Sequence, residues 1–204
     1  MPGRFYLTRP IAEVAGALGV TADVTIAPRR NIAPGQEVLV CPPDRNLQMM
    51  RWGLIPVGRK NARGRPVMET IVNARSETVF EKSAFAGVRR CVVPAEGWYE
   101  WTGQARKKTA WDIRRKDGGL LFFAAIWDVW AGPGGISVAQ VATVTCPPSG
   151  DVRDIHHRMG VILATKDVPT WLDADEDRAA ALMQPLPDGS LTVLPAEGVD
   201  WEGA

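Results

Sequence analysis

Four places along the chain carry residue types able to do chemistry. Glu100 lies in Gly97-Trp-Tyr-Glu-Trp101, a carboxylate between large aromatics. Such a group either turns outward from a strand or loses its water, and in the second case its raised pKa suits proton transfer. His156 and His157, the two histidines of the chain, precede Arg158-Met159. On extended backbone their side chains would point opposite ways, so one of the pair is expected to face a shared site. Asn73 opens Asn73-Ala-Arg-Ser-Glu-Thr78, after Thr70-Ile-Val and before a candidate helix. It reads either as an amide offered to a partner or as an ordinary turn residue or cap, with Ser76 as an N-cap. The fourth place is Met1-Pro2-Gly-Arg-Phe-Tyr6. Removal of Met1 would leave a secondary amine on Pro2, a nucleophile toward aldehydes when neutral, and model α-amino groups titrate at about 7.7–8.0. A frayed terminus is the plain alternative.

The elements that must position these groups are mostly strands. Asp23–Ile26, Glu37–Cys41, Leu47–Leu54, Arg90–Pro94, Thr109–Arg115, Leu120–Trp127, Val138–Thr145 and Met159–Ala164 are β-branched or aromatic runs bounded by Gly, Pro, Asp or Asn. Lys116-Asp-Gly-Gly119 between two runs reads as a hairpin turn. Helices are expected at Pro10–Leu18 before Gly19, at Glu77–Phe85 before Gly87, and over about Ala174–Met183, where the Asp173–Asp177 acidic cluster suits a helix N-terminus. Gly103–Lys108 and Ala131–Gly135 read as loops too short to link domains. The fold class expected is α+β, mainly antiparallel sheet with a few short peripheral helices, in one domain over 1–204.

At 204 residues, with 46% apolar and 23% charged residues, the chain is neither disordered, collagen-like nor a disulfide scaffold. The net charge of +1 hides an asymmetry: residues 1–165 hold 22 Lys and Arg against 14 Asp and Glu, whereas 166–204 hold 2 against 9. A body of +8 before a segment of −7 admits a polyanion partner, or simply a solvated charged face. Arg outnumbers Lys 18 to 6 and Trp supplies 8 of 15 aromatics. Arg forks and flat rings suit phosphates and bases, although Trp is core material by default. Three cysteines, Cys41, Cys91 and Cys146, without a close pair indicate no disulfide framework or structural zinc. No metal or cofactor is expected. The longest apolar run, Leu120–Trp127, is too short for a membrane span and no signal peptide is evident, so a reducing, cytoplasmic setting is expected.

These segments together resemble the SRAP family, the SOS response-associated peptidase or abasic-site DNA–protein crosslink proteins. The resemblance runs through Gly3-Arg4-Phe5; Asn31-Ile-Ala-Pro-Gly-Gln36; Met50-Arg-Trp-Gly-Leu-Ile-Pro56; Asn73–Thr78; Arg89-Arg-Cys-Val-Val-Pro-Ala-Glu-Gly-Trp-Tyr-Glu-Trp101; Ala125-Ile-Trp-Asp-Val-Trp130; His156-His-Arg-Met159; and Trp171-Leu172. It covers about residues 1–172, leaving an acidic helix and tail over 173–204 expected on another face, with a DNA-mimicking role over the groove the weaker alternative. The resemblance implies a mainly β, barrel-like domain. Its positive groove would bind single-stranded DNA, or single–double-strand junctions, containing an abasic site; a monomer is expected. By the same resemblance Asn73 orients the N-terminus, Glu100 acts on the amine and its protons, and His156 assists sugar ring opening as an acid. His156 is preferred to His157 because the family pattern reads His, any residue, Arg, Met. Arg4, Arg75 and Arg158 would hold flanking phosphates, Thr145 would line the DNA site, and Trp52 would offer a stacking surface.

The chain departs from that pattern where the chemistry is most exacting. The family has Cys at position two, whose amine and thiol close an abasic aldehyde into a thiazolidine; here Pro2 has no sulfur. Gly160 stands where the family usually has Pro, and Pro147-Pro148 replace the Ala-Asn expected after Thr145. Three functions follow. The first is an abasic-site DNA-binding protein of the DNA-damage response that forms a transient Schiff base and nicks the strand as a lyase. The second is a crosslinking-dead, noncovalent binder. The third is the peptidase of the family's name, for which the strand-embedded cysteines and a Ser76–His156 pair without an elbow motif are poor nucleophiles.

Overall fold

The longest apolar run becomes the longest strand. In this computed structural model, which describes residues 2–56, 63, 69–104 and 107–202, the run forms β9 (Leu121–Ala131), buried without a break from Leu121 to Trp127. It is continuous because β9 lies between β6 (Arg89–Ala95) and β10 (Ser137–Cys146), with both faces covered. This sheet runs β3 (Glu37–Val40), β4 (Gln48–Trp52), β10, β9, β6, with β5 (Asn73–Arg75) and β11 (Met159–Gly160) also paired to β10. The second sheet runs β12 (Leu191–Pro195), β8 (Lys107–Arg115), β7 (Gly97–Gln104), β1 (Arg4–Leu7), β2 (Arg29–Ile32). The pairing is antiparallel except where β10 meets β4 and β5.

The chain passes from β6 to β7 through Glu96, whose carboxylate accepts from the Thr8 and Arg9 backbone amides and whose own amide donates to the Tyr6 carbonyl. The two sheets meet through aromatics. Phe5 packs on Trp52 with ring centroids 4.8 Å apart and on Phe123 at 6.5 Å, and Trp98 packs on Phe123 at 5.9 Å. One apolar cluster extends from Phe5 to Leu191.

Several expectations yield to tertiary context. Asp23–Ile26 is not a strand, and Met159–Ala164 is a strand only at Met159–Gly160. Lys116–Gly119 is a turn, but β8 and β9 do not pair; it carries the chain from one sheet to the other, held by the Arg115–Asp117 ion pair. Gly103-Gln104 and Lys107-Lys108 pair as strand ends around 105–106, which, like the expected loss of Met1, lie outside the described residues. Glu77–Phe85 forms turns with only a 3-10 turn at Ser83–Phe85, so Ser76 caps no α-helix. Its backbone is claimed instead: the Ser76 amide donates to the Thr145 carbonyl, and Glu77 is paired with Arg158. By contrast α1 (Ile11–Leu18) ends at Gly19 in the left-handed region, φ 67°, where glycine avoids the penalty of a side chain. Beyond α2 (Val168–Asp173), α3 (Glu176–Ala181) begins at Asp175, whose carboxylate accepts from the Arg178 amide at 2.9 Å. Among the described residues no helix is long and apolar enough to cross a membrane.

Candidate functional site

β10 is the spine of the site. Its first half pairs with β4 on one side and β9 on the other; from Thr143 onward β5 and then β11 take those places. This exchange sets Asn73 beside Thr143 and both Arg75 and Gly160 beside Thr145. The fully buried Thr143 hydroxyl donates to the Asn73 amide oxygen, leaving the amide nitrogen to donate to the Pro2 carbonyl at 2.9 Å. Asn73 is therefore neither a loose turn residue nor a cap, and Pro2 is buried rather than frayed. The Pro2 ring lies against Gly160: a Cβ there would sit 3.4 Å from Pro2 Cγ and 2.5 Å from two ring carbons of Phe123.

Glu100 enters from the other sheet. Arg4 pairs with Tyr99 and Phe5 with Trp98, so strand alternation puts Glu100 on the inner face with Trp98, just beyond the last β1–β7 pair. It is 4% exposed, and burial pushes its carboxyl above the ordinary range while the charge of the chain's amino terminus pulls it partly back. His156 is pushed the other way, toward the neutral ring, first by burial and then by the same amino-terminal charge and by His157. Nδ1 of His156 lies 3.0 Å from the Arg158 amide nitrogen, which can only donate, so the neutral ring carries its proton on Nε2. The Arg158 carbonyl, 3.1 Å from the same Nδ1, can accept its proton when the ring is cationic.

The two histidines do not point apart as expected for extended chain. They occupy a bend and their rings stack with centroids 4.3 Å apart. The residues expected to meet DNA divide sharply. Arg75 is exposed at the edge of β5. Arg158 is only 7% exposed, its fork occupied by the Glu77 carboxylate, with the second nitrogen 2.8 Å from Oε2 and also donating to the Thr145 carbonyl. That pairing holds the Glu77 carboxyl down to about 2. Thr145 is fully buried, its hydroxyl donating to the Ala74 carbonyl at 3.1 Å, and so does not line an open surface. Trp52 offers no stacking face either: it is fully buried against Phe5, and its indole nitrogen donates to the Val72 carbonyl at 3.1 Å. Arg4 lies on the outer face of its sheet, bonded to the Asn31 side chain at 2.7 Å. Sequence reasoning missed Thr143 and Glu77 as partners; the Glu77–Arg158 pair spans 81 positions and has no local signature.

All three thiols are buried. Burial pushes Cys41 and Cys146 up to about 11 and raises Cys91 as well, the opposite of an activated nucleophile. Among the described residues no three His, Cys, Asp or Glu side chains are gathered to hold a metal ion.

Comparison with known proteins shows the family and the fold. A family model described as SOS response associated peptidase (SRAP) matches residues 1–198, and the chain belongs to that family. It is 33% identical over 198 residues to the abasic site processing protein YoqW of Bacillus subtilis, covering 91% of this chain and 87% of the relative. The abasic site processing protein HMCES of Mus musculus is 32% identical over 181 residues, 70% of this chain and 50% of its own. A solved protein from Bacteroides thetaiotaomicron superposes with a TM-score of 0.82 at 22% identity, over 96% of this chain and 92% of that one, a likeness of fold alone.

Proposed function

We propose that this protein captures the ring-opened sugar of an abasic site in single-stranded DNA, or at a single–double-strand junction, through a transient Schiff base on the Pro2 amine. Three things support the reading: relatives named as abasic site processing proteins, the basic body of the chain, and the grip of Asn73 on Pro2. The observation that carries it is the last of these: the Asn73 amide fixes the buried Pro2 through its carbonyl at 2.9 Å. Once Met1 is removed, the neutral Pro2 nitrogen adds to the C1′ aldehyde carbon and its proton passes to Glu100. The resulting hydroxyl leaves as water with a proton delivered from the cationic form of His156, which returns to the neutral ring, giving an iminium. With no sulfur to close a ring, water can add back and return aldehyde and amine. Alternatively, loss of a C2′ proton expels the 3′ phosphate and cuts the strand, and water then releases the unsaturated aldehyde. Arg75 and Arg4 hold phosphates beside the lesion, and Arg158 joins them when a phosphate displaces Glu77. The protein acts as a monomer, in the cytoplasm, in the response to DNA damage.

Borohydride reduction of the protein mixed with abasic single-stranded DNA is expected to trap a covalent adduct, with intact mass confirming that Met1 is gone. If none is trapped while Pro2→Cys crosslinks without borohydride, the Schiff base is refuted. The second reading, noncovalent binding, then stands; the buried Pro2 ring packed against Gly160 is the observation in its favour.

A further inference from the structure

The acidic end of the chain was expected on a face of its own. Its helix, α3, packs against α2, but the last described residues return to the sheet that carries Glu100. β1 and β7 turn Arg4, Tyr6, Tyr99 and Trp101 to the outer face of that sheet, opposite Phe5, Trp98 and Glu100. On this face Trp201 stands edge-on to Tyr99, centroids 4.9 Å apart, and to Trp101 at 5.2 Å. The Asn31 amide donates to the Asp200 carbonyl at 2.7 Å, and Arg4, bonded to Asn31, reaches the Trp201 carbonyl at 3.4 Å. The Asp200 side chain accepts from the Glu202 amide at 3.0 Å, a turn that leaves both carboxylates exposed.

We propose that residues 200–202 form a displaceable strap that competes with the DNA strand for the Arg4–Tyr99–Trp101 surface. The strap presents what a nucleotide presents: a flat ring against aromatic faces, oxygen acceptors on Arg4 and Asn31, and negative charge beside them. Arg4 is two residues from Pro2, and two residues of extended chain span at most about 7 Å. A strand whose sugar is held at Pro2 therefore carries a neighbouring phosphate past Arg4. Release is simple mechanically. The last ladder bond, from the Ala196 amide to the Ala110 carbonyl at 2.8 Å, precedes the strap, and Gly198 between them adopts a φ of 63°.

This inference rests on the DNA-binding reading, and the test separates the two. A labelled single-stranded oligonucleotide carrying a tetrahydrofuran site, which has no aldehyde and so bypasses Pro2 chemistry, is titrated by fluorescence anisotropy. The probe is added to the full chain, to a chain ending at Gly198, and to Trp201→Ala. A strap closed about nine-tenths of the time lowers apparent affinity about tenfold, so both variants are expected to bind about tenfold tighter. Arg4→Ala in either background is expected to erase the gain. Trp201→Ala carries the test if the shortened chain melts early. If the full chain and both variants bind equally well, the strap is overturned and DNA binding stands. If none of them binds, the DNA reading falls and the strap with it.

Discussion

Asn73→Ala strikes the point where fold and proposed chemistry meet. It removes the donor to the Pro2 carbonyl at 2.9 Å and the acceptor for the fully buried Thr143 hydroxyl. The Pro2 bond contributes about 1 kcal/mol, and a buried hydroxyl stripped of its acceptor costs about 1–3 kcal/mol, so unfolding free energy should fall by about 2–4 kcal/mol. For a chain of this size each kcal/mol moves Tm by about 2–4 °C, which places the loss at about 4–16 °C. Misplacing a nucleophile by about 1 Å can cost about 100-fold in rate, so borohydride trapping should slow by about 10- to 100-fold. Asn73→Asp separates the two effects. Its carboxylate still accepts from Thr143, so much of the stability should return, yet it has no proton for the Pro2 carbonyl and sets negative charge against it. Calorimetry and single-turnover trapping on the three proteins make the comparison. If Asn73→Asp traps within about threefold of the parent, the hold on Pro2 is irrelevant to the chemistry and the reasoning fails.

Two further outcomes follow from the same site. Burial raises the Glu100 pKa in the folded chain, so the native state holds that proton more tightly than the unfolded state and stability falls as pH rises through the interval between the two values. Glu100→Gln should accordingly stabilise the protein at neutral pH, by a margin that closes as pH drops and vanishes below the unfolded value of about 4.3; urea unfolding across that range checks it, and a margin independent of pH would refute it. Gly160→Ala sets a methyl 2.5 Å from ring carbons of Phe123, which Phe5 and Trp98 hold in place. It should destabilise by about 1–3 kcal/mol in the same assay, whereas an unchanged midpoint would mean that the ring yields freely.

Much of this molecule was legible from local pattern. Apolar runs bounded by Gly, Pro and Asp marked β3, β4, β6, β8, β9 and β10, because a strand's burial and its ending both depend on nearby residues. Pro10 and Gly19 bracketed α1 for the same reason, while β12 and α2 escaped notice within the tail. The residue types at positions 2, 73 and 100 and the His156-His157 pair were likewise enough to nominate candidates, and the resemblance to the family singled out His156. Their environments were not legible. Whether Glu100 faced solvent, whether Trp52 offered a face, and whether Arg158 was free all turned on partners far along the chain. Glu77 shows the limit most clearly: its segment has the pattern of a helix, yet the Ser76 amide and the Glu77 carboxylate are taken by β10 and by Arg158, and no α-helix forms. Charge arithmetic behaved in the same way. The sequence by itself determined that the basic body precedes an acidic end. Only the tertiary structure decided that this end folds back onto Arg4, because which face of β1 an arginine occupies depends on strand pairing, and what covers that face depends on a contact across 197 positions.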